Sequence, residues 1–321
     1  MALHPVIQAA LRAAEGVPPY HALPLAQARA QAKLGYAAAK PQMPVGAVRD
    51  LCIPGPAGEL PVRVYTPTGP GPHPIVVFFH GSGFVLLDLD SHDDICRRLC
   101  AGASSVVVSV DYRLAPEHKF PSAPDDCLAA TRWAALHAGA LGGDATPRIA
   151  LAGDSAGGCL AAVTALRLRD EGGPALRALL LLYPVTDYPS DPPDSYRSYG
   201  TGYGLTHAGM SWFWDQYLAD PSTARHPHVS PLRMDTPEGL PSTYVMVAEY
   251  DVLRDEGEAF ARRLSAAGIT TASRCSAGMN HGFLKYTGVI DEADAAMAHA
   301  CAWLKNVVQR ETSPTNGRLP C

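Results

Sequence analysis

A serine at the centre of Gly153-Asp154-Ser155-Ala156-Gly157, with Gly158 following, has the neighbours that a nucleophile needs. An alcohol attacks poorly at neutral pH, so it requires a base within hydrogen-bond reach and an acid to orient that base. The pentapeptide follows residues 148–152, a short apolar run behind Pro147 that reads as a buried strand. It precedes residues 159–169, rich in Ala and Leu, with Leu160, Val163 and Leu166 at helical spacing. Strand, G-x-S-x-G, helix is the nucleophile-elbow pattern. A serine at so sharp a turn sits in strained backbone, and larger neighbours would collide with the strand and helix. The turn lifts Oγ clear of the sheet and aims the helix N-terminus at an oxygen on the reacting carbon.

In chains built on this elbow, the orienting acid and then the base follow the serine. Asp251 comes after the apolar run 244–248 with only Glu249 and Tyr250 between, which places it at a strand's carboxyl end. Asp187 also follows a strand but opens a long insert, and Asp255 reads as a first-turn helix residue. Glu249 is the nearest rival and is kept as a supporting residue. Of the histidines after Asp251, His299 falls in the Ala-rich helical segment 291–304. His281 lies in Gly278-Met279-Asn280-His281-Gly282-Phe283, the loop a base requires. His226 and His228 are spaced like a chelating pair, but with no third ligand in view they read as a polar loop, and no metal is expected. The last component is a set of donors for the oxyanion. His80-Gly81-Ser82-Gly83-Phe84 follows the apolar strand 75–79, and its N–H groups, with that of Ala156, can converge on one oxygen. Losing one such donor costs about 2.7–4 kcal/mol of transition-state stabilisation.

The elements that must hold these residues follow from the pattern around them. Val6, Ile7, Ala10, Leu11 and Ala14 share one helical face, and a second helix is expected over residues 24–33. Residues 48–53 and 59–65, separated by Pro54-Gly55-Pro56-Ala57-Gly58, read as an antiparallel hairpin. Short apolar runs at 75–79, 105–110, 148–152, 178–183, 244–248 and 271–275 then alternate with helical segments such as 91–101, 123–137 and 254–267. This alternation predicts an α/β fold: a mostly parallel eight-stranded sheet covered on both faces, with ligands at the carboxyl ends of the strands. Residues 186–243 interrupt it with Pro189, Pro192, Pro193 and the aromatic run Trp212-Phe213-Trp214. That insert reads as a packed helical cap, assembled with the N-terminal helices.

Composition narrows the partners. The 321 residues are 47% hydrophobic and 18% charged, with a formal net charge of −5, so no nucleic-acid or anionic-membrane partner is expected. No window is apolar enough for a membrane span, and the start Met1-Ala2-Leu3-His4-Pro5 lacks a secretory pattern. The eight cysteines are scattered, and the one close pair, Cys96 and Cys100, reads as free thiols on a helix. A cytoplasmic setting is the expectation.

With these pieces in place, the chain resembles the hormone-sensitive-lipase-like carboxylesterases, the bacterial family IV esterases of the α/β-hydrolase fold. The segments that carry the resemblance span residues 45–305: His80 to Phe84, Asp88 to His92, Asp111 to His118, Gly153 to Gly158, Tyr183 to Asp187, Val229 to Leu232, Glu249 to Gly257 and His281 to Phe283. The resemblance implies that Ser155 is the nucleophile, His281 the base and Asp251 its acid. It also implies an oxyanion hole from the N–H groups of Ser82, Gly83 and Ala156, with His80, Gly81, Asp154 and Glu249 supporting. A cap of residues 1–45 and 186–225 would cover a core of 46–185 and 226–310, with 311–321 a frayed tail. Phe84 and Trp212 are the candidate pocket residues. The activity implied is hydrolysis of short- to medium-chain acyl esters without a cofactor, by an enzyme that is a possible homodimer.

Four positions depart from the family's pattern: Ser82 in place of the middle glycine, Leu87 for a glycine after the loop, Cys159 for an asparagine, and Asn280 for an apolar residue. Ser82 is expected to strain its loop and limit bulky acyl groups. Arg113 and Glu117 are expected to brace the loop beneath the site. An amidase, deacetylase or lactonase would use the same triad. A small-molecule receptor on this fold, as the plant gibberellin receptors are, would lack the histidine that His281 supplies.

Overall fold

A computed structural model of the chain describes residues 2–36, 43–144 and 148–309. The expected tail at 311–321 lies outside them. The hairpin is formed by β1 (Ala47–Gly55) and β2 (Gly58–Thr66), paired antiparallel. β2 pairs antiparallel with β4 (Val106–Val110). From β4 onward the sheet is parallel, through β3 (Ile75–Phe79), β5 (Ile149–Asp154), β6 (Leu176–Leu182), β7 (Ser242–Tyr250) and β8 (Thr271–Asn280). The order across the eight strands is β1-β2-β4-β3-β5-β6-β7-β8.

β3, β4 and β5 are buried along their whole length, because helices cover both faces of the sheet. Ile75, Val77 and Phe79 pack with residues of α4 (Ser122–Leu136), α5 (Ala156–Glu171) and α8 (Arg254–Ala266). Val76 and Phe78 point the other way, into a second cluster with α3 (Asp93–Ala103) and α9 (Asp291–Gln309). The alternation is the two-residue period of a strand, and each fully buried side chain of this kind contributes roughly 1.5–3 kcal/mol.

From β3 the chain crosses to β4 on one side and then returns to β5 on the other. That reversal sets the topological switch point at the carboxyl ends of β3 and β5, where sheets of this kind bind ligands. The elements around it come from both ends of the sequence. α1 (Pro5–Ala13) buries Ile7, and a turn at Tyr20–Ala22 after it touches both α2 (Leu25–Leu34) and α7 (His207–Tyr217). α6 (Asp194–Tyr199) and α7 occupy the insert between β6 and β7. Within α7, Phe213 and Trp214 are buried and Trp212 is half-buried.

One strand differs from its expected length. β8 runs five residues beyond the expected end at 275, to Asn280. As an edge strand it carries Ser276 and Gly278 where a central strand would be apolar, so no hydrophobic run marks its second half. No helix among the described residues is long and apolar enough to cross a membrane.

Candidate active site

Ser155 joins β5 to α5 with φ +54° and ψ −122°, a left-handed conformation that costs on the order of 1–3 kcal/mol for a residue with a side chain. The turn is over-determined by its surroundings. Ser155 N–H donates to Leu182 O at 2.8 Å, and Ser155 O accepts from Val185 N–H at 3.1 Å. A Cβ on Gly157 would lie 1.9 Å from Phe79 O, and one on Gly153 would lie 2.2 Å from Gly157 O, so both positions require glycine.

The elbow, the end of β7 and the end of β8 bring three side chains together. His281 Nε2 lies 2.8 Å from Ser155 Oγ, and His281 Nδ1 lies 2.7 Å from Asp251 Oδ2. Asp251 Oδ1 accepts from Leu253 N–H at 2.9 Å, and the residue is 1% exposed against 7% for Ser155. A carboxylate buried this deeply, with one oxygen on backbone, fixes which ring nitrogen of His281 carries a proton. Tyr183 packs edge-on against the His281 ring at 5.1 Å.

The other acids and histidines lie elsewhere. Asp187 pairs with Arg233 at 2.5 Å, and Asp255 accepts from Ser195 N–H at 2.8 Å. Glu249 accepts from Gly278 N–H at 2.7 Å and so fastens the irregular ends of β7 and β8 together. His299 is exposed on α9 and bonds Tyr244 Oη at 2.8 Å. His226 Nδ1 accepts from His228 N–H at 3.1 Å within the loop. Arg113 binds Asp126, and Glu117 binds Arg29 of α2 at 2.7 Å.

The loop after β3 turns back toward Ser155 through three residues of positive φ: Ser82 at +100°, Gly83 at +64° and Phe84 at +65°. The N–H groups of Ser82, Gly83 and Ala156 have no hydrogen-bond acceptor among the described residues. Ala156 is the first residue of α5, where such free donors are expected. Ser82 holds its Cβ in a region that disfavours side chains, and its hydroxyl lies against Gly81 O and Leu86 O within the loop. Leu87, another departure, also has positive φ, at +67°.

α7 closes over this loop. A Cβ on Gly83 would meet the Phe213 ring at 2.1 Å, so Phe213 lies directly on the donor loop. Phe84 is 1% exposed and stacks on Tyr217 at 3.9 Å, with Trp214 at 5.8 Å. It anchors α7 to the core. Trp212 is half-buried beside Phe213 at 5.1 Å. Asn280 Nδ2 donates to Tyr203 O at 2.8 Å and ties the segment between β6 and β7 to the strand end that precedes His281. Cys159 Sγ donates to Val229 O at 3.4 Å.

Beneath the donor loop lies a network that the sequence did not single out. Asp154 Oδ1 accepts from Gly81 N–H at 2.8 Å, and His92 Nε2 stands 3.2 and 3.3 Å from its two oxygens. His92 entered the sequence reading only as the end of a motif segment, because nothing in its spacing links it to Asp154. Burial pushes the Asp154 carboxyl up, but His92 and Gly81 N–H outweigh it and hold it below the usual range. His80 stacks on Tyr112 at 4.4 Å, and burial, reinforced by His92, lowers its pKa to about 4.

Comparison with known proteins identifies the fold and its family. A family profile described as the α/β hydrolase fold matches residues 76–285. The carboxylic ester hydrolase LipN of Mycobacterium tuberculosis is 46% identical over 242 residues, covering 74% of this chain, which spans 64% of that protein's length. The ethyl acetate hydrolase of Pseudomonas putida is 38% identical over 312 residues, 92% of this chain and 96% of that one. The crystal structure of a thermostable esterase from Pseudomonas putida ECU1011 superposes with a TM-score of 0.92 at 39% identity, covering 97% and 99% of the two chains. With the family profile over most of the sheet and relatives of this similarity, the chain belongs to the α/β-hydrolase fold family, in its hormone-sensitive-lipase-like branch.

Proposed function

We propose that this chain is a carboxylesterase that cleaves short- to medium-chain acyl esters through a covalent acyl-enzyme on Ser155. The observation that carries the reading is the unbroken contact from Ser155 Oγ to His281 Nε2, at 2.8 Å, and from His281 Nδ1 to Asp251, at 2.7 Å. As Oγ bonds to the ester carbonyl carbon, its proton passes to His281 Nε2 and the carbonyl electrons move onto oxygen. The N–H groups of Ser82, Gly83 and Ala156 receive that oxyanion. Collapse breaks the bond to the alcohol, which leaves with the proton from His281. A water then gives its proton to His281, attacks the acyl carbon and releases the acid, returning Ser155 to its starting state. Asp251 remains ionised throughout and stabilises the imidazolium.

The printed names of the relatives, an ester hydrolase and an ethyl acetate hydrolase, support an ester substrate with a small acyl group. Phe213 over Gly83 supports the same limit, since a bulky acyl chain would have to displace an aromatic ring. The buried free thiols of Cys96 and Cys100 on α3 support a cytoplasmic setting. The test is a chain-length series of nitrophenyl esters on the parent enzyme and on Ser155→Ala, with an organophosphate adduct mapped by mass spectrometry. The expected result is highest turnover on short acyl chains, one adduct on Ser155 and none in the variant. An adduct on another residue, or retained turnover in Ser155→Ala, would refute the assignment.

A further inference from the structure

On the reading of Ser82, Gly83 and Ala156 as oxyanion donors, we infer that His92, acting through Asp154, is a positioning residue for that hole. Asp154 is the residue before the nucleophile, and Gly81 is the residue before the first loop donor. The hydrogen bond from Gly81 N–H to Asp154 Oδ1, at 2.8 Å, is therefore a direct tie between the elbow and the loop. The two backbones approach closely enough that a Cβ on Gly81 would lie 2.5 Å from Asp154 Oδ2. No other side chain bridges the two segments in this way among the hydrogen bonds of the described residues.

A buried carboxylate held by one backbone donor would be poorly compensated, and its cheapest escape is to turn away or take up a proton. His92 prevents both by facing the two oxygens at 3.2 and 3.3 Å. Its own orientation is fixed from three sides. The Tyr36 ring stacks on it at 5.5 Å, and Phe78 lies beside it at 6.1 Å. Ser91 Oγ lies 2.9 Å from Nδ1. That hydroxyl gives its proton to Asp88 O at 2.6 Å, so toward the ring it acts as an acceptor. Nδ1 of His92 thus meets Ser91, and Nε2 meets the two Asp154 oxygens and, at 3.4 Å, the Gly81 N–H group. The chain of contacts runs from α3 through His92 and Asp154 to Gly81, and ends at the N–H groups of Ser82 and Gly83.

Because an oxyanion forms only at the tetrahedral stage, a hole moved by a fraction of an ångström lowers kcat and leaves substrate binding nearly unchanged. The informative variant is His92→Phe, which keeps a ring to stack on Tyr36 but has no donor. It is expected to lower kcat by about 10- to 100-fold with KM within about twofold. Its affinity for a short-chain trifluoromethyl ketone, whose hemiketal oxygen occupies the hole, should fall by the same factor as kcat. His92→Gln, with an amide nitrogen near the position of Nε2, should recover most of the rate. In an Asp154→Asn background His92→Phe should have little further effect, since both act on one contact. Organophosphate labelling of Ser155 in the parent enzyme serves as the control, and its failure would remove the esterase reading itself. With that control intact, wild-type kcat in His92→Phe, a matching rise in KM, or losses that multiply in the double variant would overturn the inference. Should His92→Phe not fold, His92→Gln and Asp154→Asn decide it: near-parent kcat in the first with a tenfold or larger loss in the second supports the inference, and equal rates overturn it.

Discussion

Two Ser–His–Asp groupings among the described residues differ in what their polar atoms face. In the first, Ser155 Oγ faces His281 Nε2 at 2.8 Å, and the Ser82, Gly83 and Ala156 N–H groups have no acceptor among the described residues. In the second, Ser91 Oγ bonds Asp88 O and N and stands 2.9 Å from His92 Nδ1, and His92 Nε2 turns to Asp154. The residue types are the same. In the second set the serine hydroxyl, both ring nitrogens and both carboxylate oxygens each have a protein partner, and the carboxylate ends on the Gly81 N–H group. The first set leaves a hydroxyl and several donors for something that is not protein. Reactivity in this fold follows from unfilled hydrogen-bonding capacity held in strained backbone, and identical side chains with that capacity filled become scaffold.

Removing the two hydroxyls is the most direct way to break that contrast. Ser155→Ala should lower kcat on the order of 10⁶-fold, whereas Ser91→Ala, which loses bonds worth about 1 kcal/mol each, should change it by no more than about tenfold. Steady-state kinetics on one nitrophenyl ester measures both. Asp251→Asn comes next, at about 10⁴-fold in kcat with geometry intact, because the neutral amide no longer fixes the His281 tautomer.

Gly83→Ala probes the donor loop, since its Cβ would need φ +64° and the space of the Phe213 ring. A kcat loss of about 10²-fold is expected, partly restored by adding Phe213→Ala. A full restoration would show that contact with the cap, and not backbone conformation, sets the requirement.

The buried side can be read by pH. His80 has its pKa lowered to about 4 by burial, so the unfolded chain binds more protons between about pH 4 and its ordinary value of 6.5. Stability is full above pH 6.5 and declines as pH falls toward 4, by about 3 kcal/mol from this group. Urea unfolding across that window measures the slope, which His80→Gln should flatten. The smallest effect concerns the clasp between cap and reactive loop. Asn280→Leu loses the bond to Tyr203 O, and should cost about 1 kcal/mol in stability with a modest drop in kcat.

The covalent order of the chain carried much of this. Ser155, Asp251 and His281 were legible because each follows a strand, and the sheet imposes one rim on everything that follows a strand. The glycines of the elbow were legible for a related reason: a Cβ on Gly157 would enter Phe79 O, so the residue type itself reports the contact. Asp187, Asp255 and His299 were set aside on position alone, and each has a partner away from Ser155. Other assignments depended on contacts between segments distant in sequence. Phe84 was legible only as a candidate pocket residue, and its stacking on Tyr217, 133 positions later, had no local signal. The length of β8 was hidden because an edge strand needs no apolar run. His92 and Asp154, 62 positions apart, meet only when the start of α3 and the end of β5 are brought together by the folded sheet. Sequence determined which residues stand at the rim, since strand order and periodicity are local properties. Tertiary structure decided which of them are left unsatisfied, since that depends on what packs against them from across the chain.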